Sequence, residues 1–159
     1  MNRVEHTLEP VFDEHSIVLI LGSMPSVVSR QNVKYYAHPQ NRFWKIMTKL
    51  YDEDTSDWKK FVLKHKIALW DVISSCTIDG SSDASIKEVV PNDLSIILNV
   101  ANIEHIFLLG KSAYNLYCKH IYPTTKIEGI YLPSPSPANA TISLDELVKI
   151  YSIIKEVTE

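Results

Sequence analysis

The sequence has little cysteine and no long apolar run, and each shortage excludes a class of protein. No stretch reaches the ~18 consecutive apolar residues that a membrane span needs, and the charged residues 1–15 are unlike a signal peptide. Two cysteines, Cys76 and Cys118, are too few for a disulfide framework and have no neighbouring metal ligands. We therefore expect a cytoplasmic protein with reduced thiols, no metal site and no membrane association.

Acidic residues are absent from two long segments, although the net charge of the protein is -3. No Asp or Glu occurs in residues 16–51 or in residues 105–127. The overall charge argues against indiscriminate coating of nucleic acid, which requires many neutralised phosphates. The segregation of charge has two explanations: chance, or one face that meets phosphates.

Short apolar runs alternate with helical patterns along the chain. Four runs have the length and β-branched content of buried strands: residues 17–23, 67–75, 106–112 and 129–136. Amphipathic or capped helical patterns occupy residues 41–51, 55–65, 92–101, 111–122 and 143–157. Ser143 and Glu146 form a capping box at the start of the last pattern. Strands alternating with helices predict a parallel sheet with helices on both faces, in one domain over residues 1–159.

The residues that close each predicted strand are the first candidates for a site, because open parallel sheets bind ligands beyond the carboxyl ends of their strands. Those residues are the segments GSMPS, DVISS, GKS and LPSPSP. Only four glycines occur in the chain, and Gly22 and Gly110 both stand at such ends, where a tight turn or a close ligand needs a residue without Cβ.

Two of these segments resemble catalytic motifs but lack essential parts. LGKS is not a phosphate-binding P-loop, because His105 stands where that motif needs glycine. A simple turn remains one interpretation, and a helix start that holds one DNA phosphate with Lys111 is the other. Ser134 and Ser136 lack the sequence context of a serine hydrolase. The prolines of LPSPSP predict a stiff loop, either a pocket wall or a ligand for a partner domain.

The segment KYYAHPQNRFW, residues 34–44, sets one amide among several rings. Phe43 and Trp44 are expected to be core residues, and His38 is most simply a structural hydrogen-bonding residue. Asn41 either caps the following helix through its side-chain oxygen or reads the edge of a planar ligand on which a tyrosine ring stacks.

Four segments in order, LGSMPS, YYAHPQNRFW, IALWDVISSC and LPSPSPANA, resemble the hypoxanthine-DNA glycosylase branch of the uracil-DNA glycosylase superfamily. The resemblance covers most of the chain, roughly residues 17–139. It implies a three-layer αβα sandwich with a four-stranded parallel sheet. It also implies flipping of a deaminated base out of DNA and hydrolysis of its N-glycosidic bond, without cofactor or metal.

The resemblance also implies roles for particular residues. Asn41 matches the asparagine implicated in catalysis, and Tyr36 matches the aromatic residue that stacks on the base. The residues expected at the base are Gly22, Ser23, Met24, Pro25, Tyr36 and His38. The residues expected at the DNA strand are Lys111, Ser112, Ser134, Pro135, Ser136 and Asn139.

This chain differs from most members of the superfamily at two positions, and both differences affect the expected chemistry. Most relatives have Asp or Asn at the position of Met24 and His or Asn at the position of Leu132, and the hypoxanthine branch is similar to this chain in lacking both. Asn41 then either reads the lactam edge of hypoxanthine or uracil or orients the attacking water. We expect a monomeric, monofunctional enzyme acting on DNA that contains a deaminated base. A non-catalytic nucleic-acid module and a small-molecule binding protein of the same fold are the alternatives.

Overall fold

A four-stranded parallel sheet forms the centre of the protein in a computed structural model that describes residues 2–80 and 82–159. Its strands are β2 (Val18–Gly22), β3 (Ile67–Asp71), β6 (His105–Leu109) and β7 (Gly129–Leu132), in the order β3-β2-β6-β7. All five residues of β2 and of β3 are buried, as expected for strands covered on both faces. Each of the four predicted runs overlaps one of these strands, although the runs extend beyond the strands, most of all runs 67–75 and 129–136, and the αβα sandwich is confirmed.

Helices cover the sheet, most of them in the positions that the sequence patterns indicate, whereas the helices at residues 27–32 and 122–125 were not predicted. They are α1 (Val27–Asn32), α2 (Phe43–Tyr51), α3 (Trp58–Lys64), α4 (Ser95–Leu98), α5 (Lys111–His120), α6 (Tyr122–Thr125) and α7 (Leu144–Thr158). The predicted apolar face of α2 is buried, and Ser143 caps α7 by accepting a hydrogen bond from the backbone N–H of Glu146. None of the helices formed by the described residues is long and apolar enough to cross a membrane.

A second, antiparallel sheet was not predicted. It contains β1 (Asn2–Glu5), β4 (Ile73–Ile78) and β5 (Lys87–Pro91) in the order β1-β4-β5. The apolar run 67–75 therefore is not one strand, because the chain bends after Asp71 and enters the second sheet at Ile73. The side-chain nitrogen of Asn92 donates to the carbonyl oxygens of Asp71 (2.8 Å) and Ile73 (3.1 Å) and so fixes this bend.

Two further differences follow from this arrangement. The helix expected over residues 92–101 is limited to α4, because β5 ends at Pro91 and the Asn92 side chain is bonded to the bend after Asp71. The N-terminal segment, which carries no strand signal, pairs with β4 through Glu5 and Ser75. This pairing brings the beginning of the chain to the carboxyl end of β3.

Candidate functional site

A cavity of about 390 Å³ lies at the carboxyl ends of the parallel strands, where the topology places ligand sites. Its size suits one small ligand. It is lined by Asn41 and by all six residues predicted to contact the base: Gly22, Ser23, Met24, Pro25, Tyr36 and His38. Of the residues predicted to contact DNA, Ser134, Pro135 and Ser136 form another part of the wall, whereas Lys111, Ser112 and Asn139 do not line the cavity.

Lys111 and Ser112 begin α5 beside the proline-rich loop, residues 133–142. Gly110 precedes them with φ of 100°, a conformation that favours glycine, and a Cβ at this position would lie 3.3 Å from the Cβ of Ser134. The close approach holds the start of α5 against the cavity wall. Lys111 is exposed there, so its predicted contact with a phosphate stays a prediction.

Arg42 organises the proline-rich loop. Its guanidinium donates hydrogen bonds to the carbonyl oxygens of Pro135 (3.4 Å), Ser136 (3.1 Å), Asn139 (2.8 Å) and Ile142 (2.6 Å). Its backbone N–H also donates to the Pro135 carbonyl, at 3.1 Å. Asn139 donates from its side-chain nitrogen to the Ser134 carbonyl at 3.0 Å, so the contact of its side chain is internal to the loop.

Asn41 lies one residue before this arginine and is half-buried at the cavity. Its side-chain oxygen accepts a hydrogen bond from the backbone N–H of Phe43 at 2.9 Å, the kind of bond that the capping interpretation expects, although Arg42 holds the N-cap position of α2 itself. Within the described part of the chain, its side-chain nitrogen has no protein partner. The capping and ligand-binding interpretations are therefore compatible: the oxygen holds the residue at the helix start, and the nitrogen remains a donor for a ligand.

Tyr36 contributes both a ring and a buried hydroxyl. The ring stacks on Phe43 with centroids 4.1 Å apart and an interplanar angle of 24°, so one face is already covered. Its φ of 57° is uncommon for a bulky residue and is often found at functional sites. The hydroxyl is buried without a hydrogen-bond partner among the described residues. Burial raises the pKa of this phenol well above its ordinary value, and the nearby Asp71 carboxyl adds to the effect, so the group keeps its proton.

Three other predicted positions have simple surroundings. His38 is half-buried, and its Nδ1 accepts from the Gln40 backbone N–H at 3.1 Å, in keeping with a structural role on that side of the ring. Met24 is half-buried at the cavity, whereas Leu132 is buried in the core with 3% exposure and does not line it. Neither residue supplies a polar group.

Asp71 is a cavity residue that the sequence interpretation missed. It ends β3, pairs with Gly22 of β2, and is the one acidic side chain among the residues that line the cavity. A Cβ on Gly22 would lie 2.7 Å from Asp71 Oδ1, so glycine is needed for the carboxylate to occupy this place. Burial raises the pKa of the carboxyl above its ordinary value, and this effect is opposed by His6 and by the backbone N–H of Gly22.

His6 is the hydrogen-bonding partner of this carboxylate. Its Nε2 lies 2.8 Å from Asp71 Oδ2, and the two side chains are only 3% and 4% exposed. Because an ionised carboxylate only accepts hydrogen bonds, Nε2 carries the proton in the ionised pair. Asp71 could have been proposed as a site residue, because its segment DVISS closes a predicted strand. Its pairing with His6 could not, because the two residues are 65 positions apart in the sequence.

Comparison with known proteins places this geometry in a family. The family model for the uracil DNA glycosylase superfamily matches residues 9–154. The chain is 34% identical over 110 residues to a hypoxanthine DNA glycosylase of Methanosarcina barkeri, covering 65% of this chain and 70% of the relative. It is 35% identical over 141 residues to a hypoxanthine DNA glycosylase of Methanosarcina acetivorans, covering 84% of this chain and 87% of the relative.

A solved structure gives the same result for the fold. The solution NMR structure of a protein proposed to be a uracil DNA glycosylase from Methanosarcina acetivorans superposes with a TM-score of 0.73 at 29% identity. The match covers 93% of this chain and 96% of that one. The two proteins thus share their fold, and the chain belongs to the uracil DNA glycosylase superfamily.

Proposed function

We propose that this protein is a monofunctional DNA glycosylase that removes a deaminated base, foremost hypoxanthine and also uracil, in base excision repair. The observation that carries the proposal is the single cavity on which the motif residues Gly22, Tyr36, Asn41 and Ser134 converge. Two relatives that bear the name hypoxanthine DNA glycosylase support the choice of base. A flipped base enters such a cavity, and water then replaces it on the sugar.

Base choice rests on the lactam that deamination creates, a carbonyl acceptor beside an N–H donor. The side-chain nitrogen of Asn41 is a donor suited to the carbonyl, and the Asp71 carboxylate is an acceptor suited to the N–H. Adenine and cytosine present the reverse pattern, a lone pair at the ring nitrogen and an amino group at the adjacent carbon. A carboxylate oxygen of Asp71 would then face the lone pair of the ring nitrogen. Because both are hydrogen-bond acceptors, they repel each other, and these normal bases are rejected.

Catalysis requires stabilisation of the charge that the base carries as it leaves. The electron pair of the N-glycosidic bond moves onto the base, and water adds to the cationic sugar and releases a proton. Asn41 is a fixed donor at the cavity, and a fixed donor aimed at developing charge commonly contributes about 100- to 1000-fold in rate. No lysine lines the cavity among the described residues, which favours hydrolysis to an abasic site over a Schiff base.

The DNA strand is held outside the cavity by the proline-rich loop and the start of α5. Ser134, Pro135, Ser136 and Asn139 belong to the loop, and Lys111 with Ser112 stands beside it through the contact of Gly110 with Ser134. All these groups come from one chain, so we expect a monomer to act. The cysteines form no disulfide in the described structure, which supports a cytoplasmic location.

The experiment is incubation of the purified protein with duplexes that carry hypoxanthine, uracil, xanthine or a thymine mismatch. We expect release of free hypoxanthine, with alkali-labile sites formed only after the base has gone. Cleavage of the strand without added alkali would contradict a monofunctional reaction. Binding of hypoxanthine-containing DNA without release of any free base would replace the enzyme with a non-catalytic module.

A further inference from the structure

The first strand of the chain ends beside Asp71, a residue of the cavity wall, although the strand lies outside the central sheet. β1 pairs with β4 in the antiparallel sheet, and the backbone N–H of His6 extends this pairing by donating to the Ser74 carbonyl at 2.7 Å. The His6 side chain thereby meets Asp71 directly after the end of β3. β1 therefore does more than cover a sheet edge, since it delivers the partner of a cavity carboxylate.

We propose that His6 is a positioning residue for the glycosylase: it holds Asp71 as an ionised hydrogen-bond acceptor for the lactam N–H of the flipped base. The inference rests on the proposed function. Oδ2 of Asp71 is engaged by His6, whereas Oδ1 lies against Gly22, the glycine that lines the cavity. Oδ2 is thus occupied by the N-terminal segment, and Oδ1 is the oxygen proposed to accept from the base.

The Asp71 carboxylate depends on His6 because it is buried. A carboxylate that is 4% exposed loses most of its hydration, so it needs hydrogen-bond donors from the protein to remain ionised. The other titratable groups that face Asp71 are Tyr35 and Tyr36; burial, and after it the Asp71 charge, raises the pKa of both phenols, so both stay neutral. His6 is the one basic side chain bonded to Asp71 among the described residues.

Loss of His6 would change what the cavity recognises. Without its partner, the buried carboxyl would take up a proton more readily and would then present an O–H donor instead of an acceptor. A donor opposite the lactam N–H is a mismatch, so excision of hypoxanthine would fall. More alkaline solution would restore the ionised form and with it part of the rate.

Two His6 variants that differ by one methylene separate positioning from simple packing. In His6→Gln the side-chain amide can reach Asp71 and donate, whereas in His6→Asn it is too short. The matched control is His65→Asn, because His65 also pairs with a carboxylate, that of Glu53 at 3.1 Å, but Glu53, unlike Asp71, does not line the cavity. Single-turnover excision of hypoxanthine, duplex affinity and melting temperature are measured from mildly acidic to mildly alkaline pH.

At neutral pH we expect His6→Asn to slow single-turnover excision about 10- to 100-fold, the scale of a lost hydrogen bond to a charged group. The loss should shrink as pH rises, while duplex affinity stays unchanged. His6→Gln should remain within a few-fold of wild type, and His65→Asn should match wild type.

A folded His6→Asn variant with the wild-type rate and pH profile would overturn the inference and leave the proposed function intact. A parallel loss in His6→Gln and His6→Asn that follows only their melting temperatures would also overturn it, in favour of a packing role. Absence of base release by the wild-type protein from every duplex would instead overturn the proposed function, and the inference with it.

Discussion

At the scale of single residues, Asn41 combines a structural bond with a free donor. Its oxygen accepts from the Phe43 N–H, while its nitrogen has no partner in the described chain. Asn41→Asp keeps an acceptor for that N–H and adds a negative charge at a helix start, which is favourable. We therefore expect Asn41→Asp to melt at or above the wild-type temperature and yet to excise hypoxanthine about 100- to 1000-fold more slowly.

Asn41→Ala serves as the companion to that variant. It removes both the acceptor and the donor, so it should lose activity to a similar extent and also about 1 kcal/mol of unfolding free energy. Single-turnover excision and thermal melting check both variants. Near wild-type excision by folded Asn41→Asp would show that the donor is not used, and near wild-type excision by folded Asn41→Ala would remove Asn41 from the reaction.

Asp71 carries a cost in stability that depends on pH. The pKa of its carboxyl is raised above the ordinary value of 3.8, chiefly by burial. Below that value both the folded and the unfolded chain hold the proton, so the group is neutral to stability. As pH rises, the unfolded chain releases the proton first, and ionisation then favours unfolding until the folded carboxyl has ionised too.

Asp71→Asn should therefore gain stability relative to wild type as pH rises from acidic to neutral. The amide oxygen can still accept from His6, so the bond between the two side chains is preserved. Melting temperatures of both proteins over this pH range test the prediction. A difference between them that is constant with pH would show that the folded carboxyl ionises as easily as the unfolded one.

At the scale of elements, Arg42 joins the start of α2 to the proline-rich loop. Its planar guanidinium donates to four different carbonyl oxygens, which a lysine ammonium on a flexible stem cannot reproduce. We expect Arg42→Lys to lower the unfolding free energy by about 1 to 3 kcal/mol, the value of a few lost hydrogen bonds. Excision should fall as well, because Asn41 and the loop lose their common anchor.

Hydrogen exchange of the backbone amides of residues 133–142 measures directly how firmly Arg42 holds the loop. Arg30→Lys is the control, because the Arg30 guanidinium donates to one carbonyl among the described residues, that of Pro25 at 2.8 Å, and a lysine can do the same. Faster exchange in the loop of Arg42→Lys but not of Arg30→Lys is the expected result. Unchanged exchange in both variants would mean that the prolines alone keep the loop rigid.

The elements also show how far the sequence could predict the site. The strands and α2 follow local patterns, and the family motifs point to Asn41, Tyr36 and Gly22, all of which line the cavity. The second sheet could not be predicted, because the four residues of β1 are mostly polar and the run 67–75 shows no break at its bend. The partners of Arg42 and Asp71 lie 65 to 100 residues away in sequence, beyond any local pattern.

At the scale of the whole molecule, the net charge of -3 opposes DNA binding, so attraction to phosphates has to be local. Residues 105–127 carry no acid, and Lys111 is exposed at the start of α5 beside the cavity wall. If Lys111 neutralises one phosphate, the fall of log affinity with log salt should be less steep in Lys111→Ala, by about 0.9 in the slope. The loss should be the same for duplexes with and without hypoxanthine, because a phosphate contact carries no base information.

Lys155→Ala is the control for this prediction, because it removes the same charge from a different place. Lys155 lies in the last turn of α7, beside the ring of Tyr51 at the end of α2, and pairs with Glu159 at 3.6 Å. The end of α2 is the end remote from Asn41, so Lys155 should not meet the strand that enters the cavity.

Equal slopes for wild type and Lys111→Ala would exclude a phosphate contact at Lys111. An equal reduction in both variants would mean that only the total charge matters, and the binding face would then have to be sought among the basic residues of 16–51.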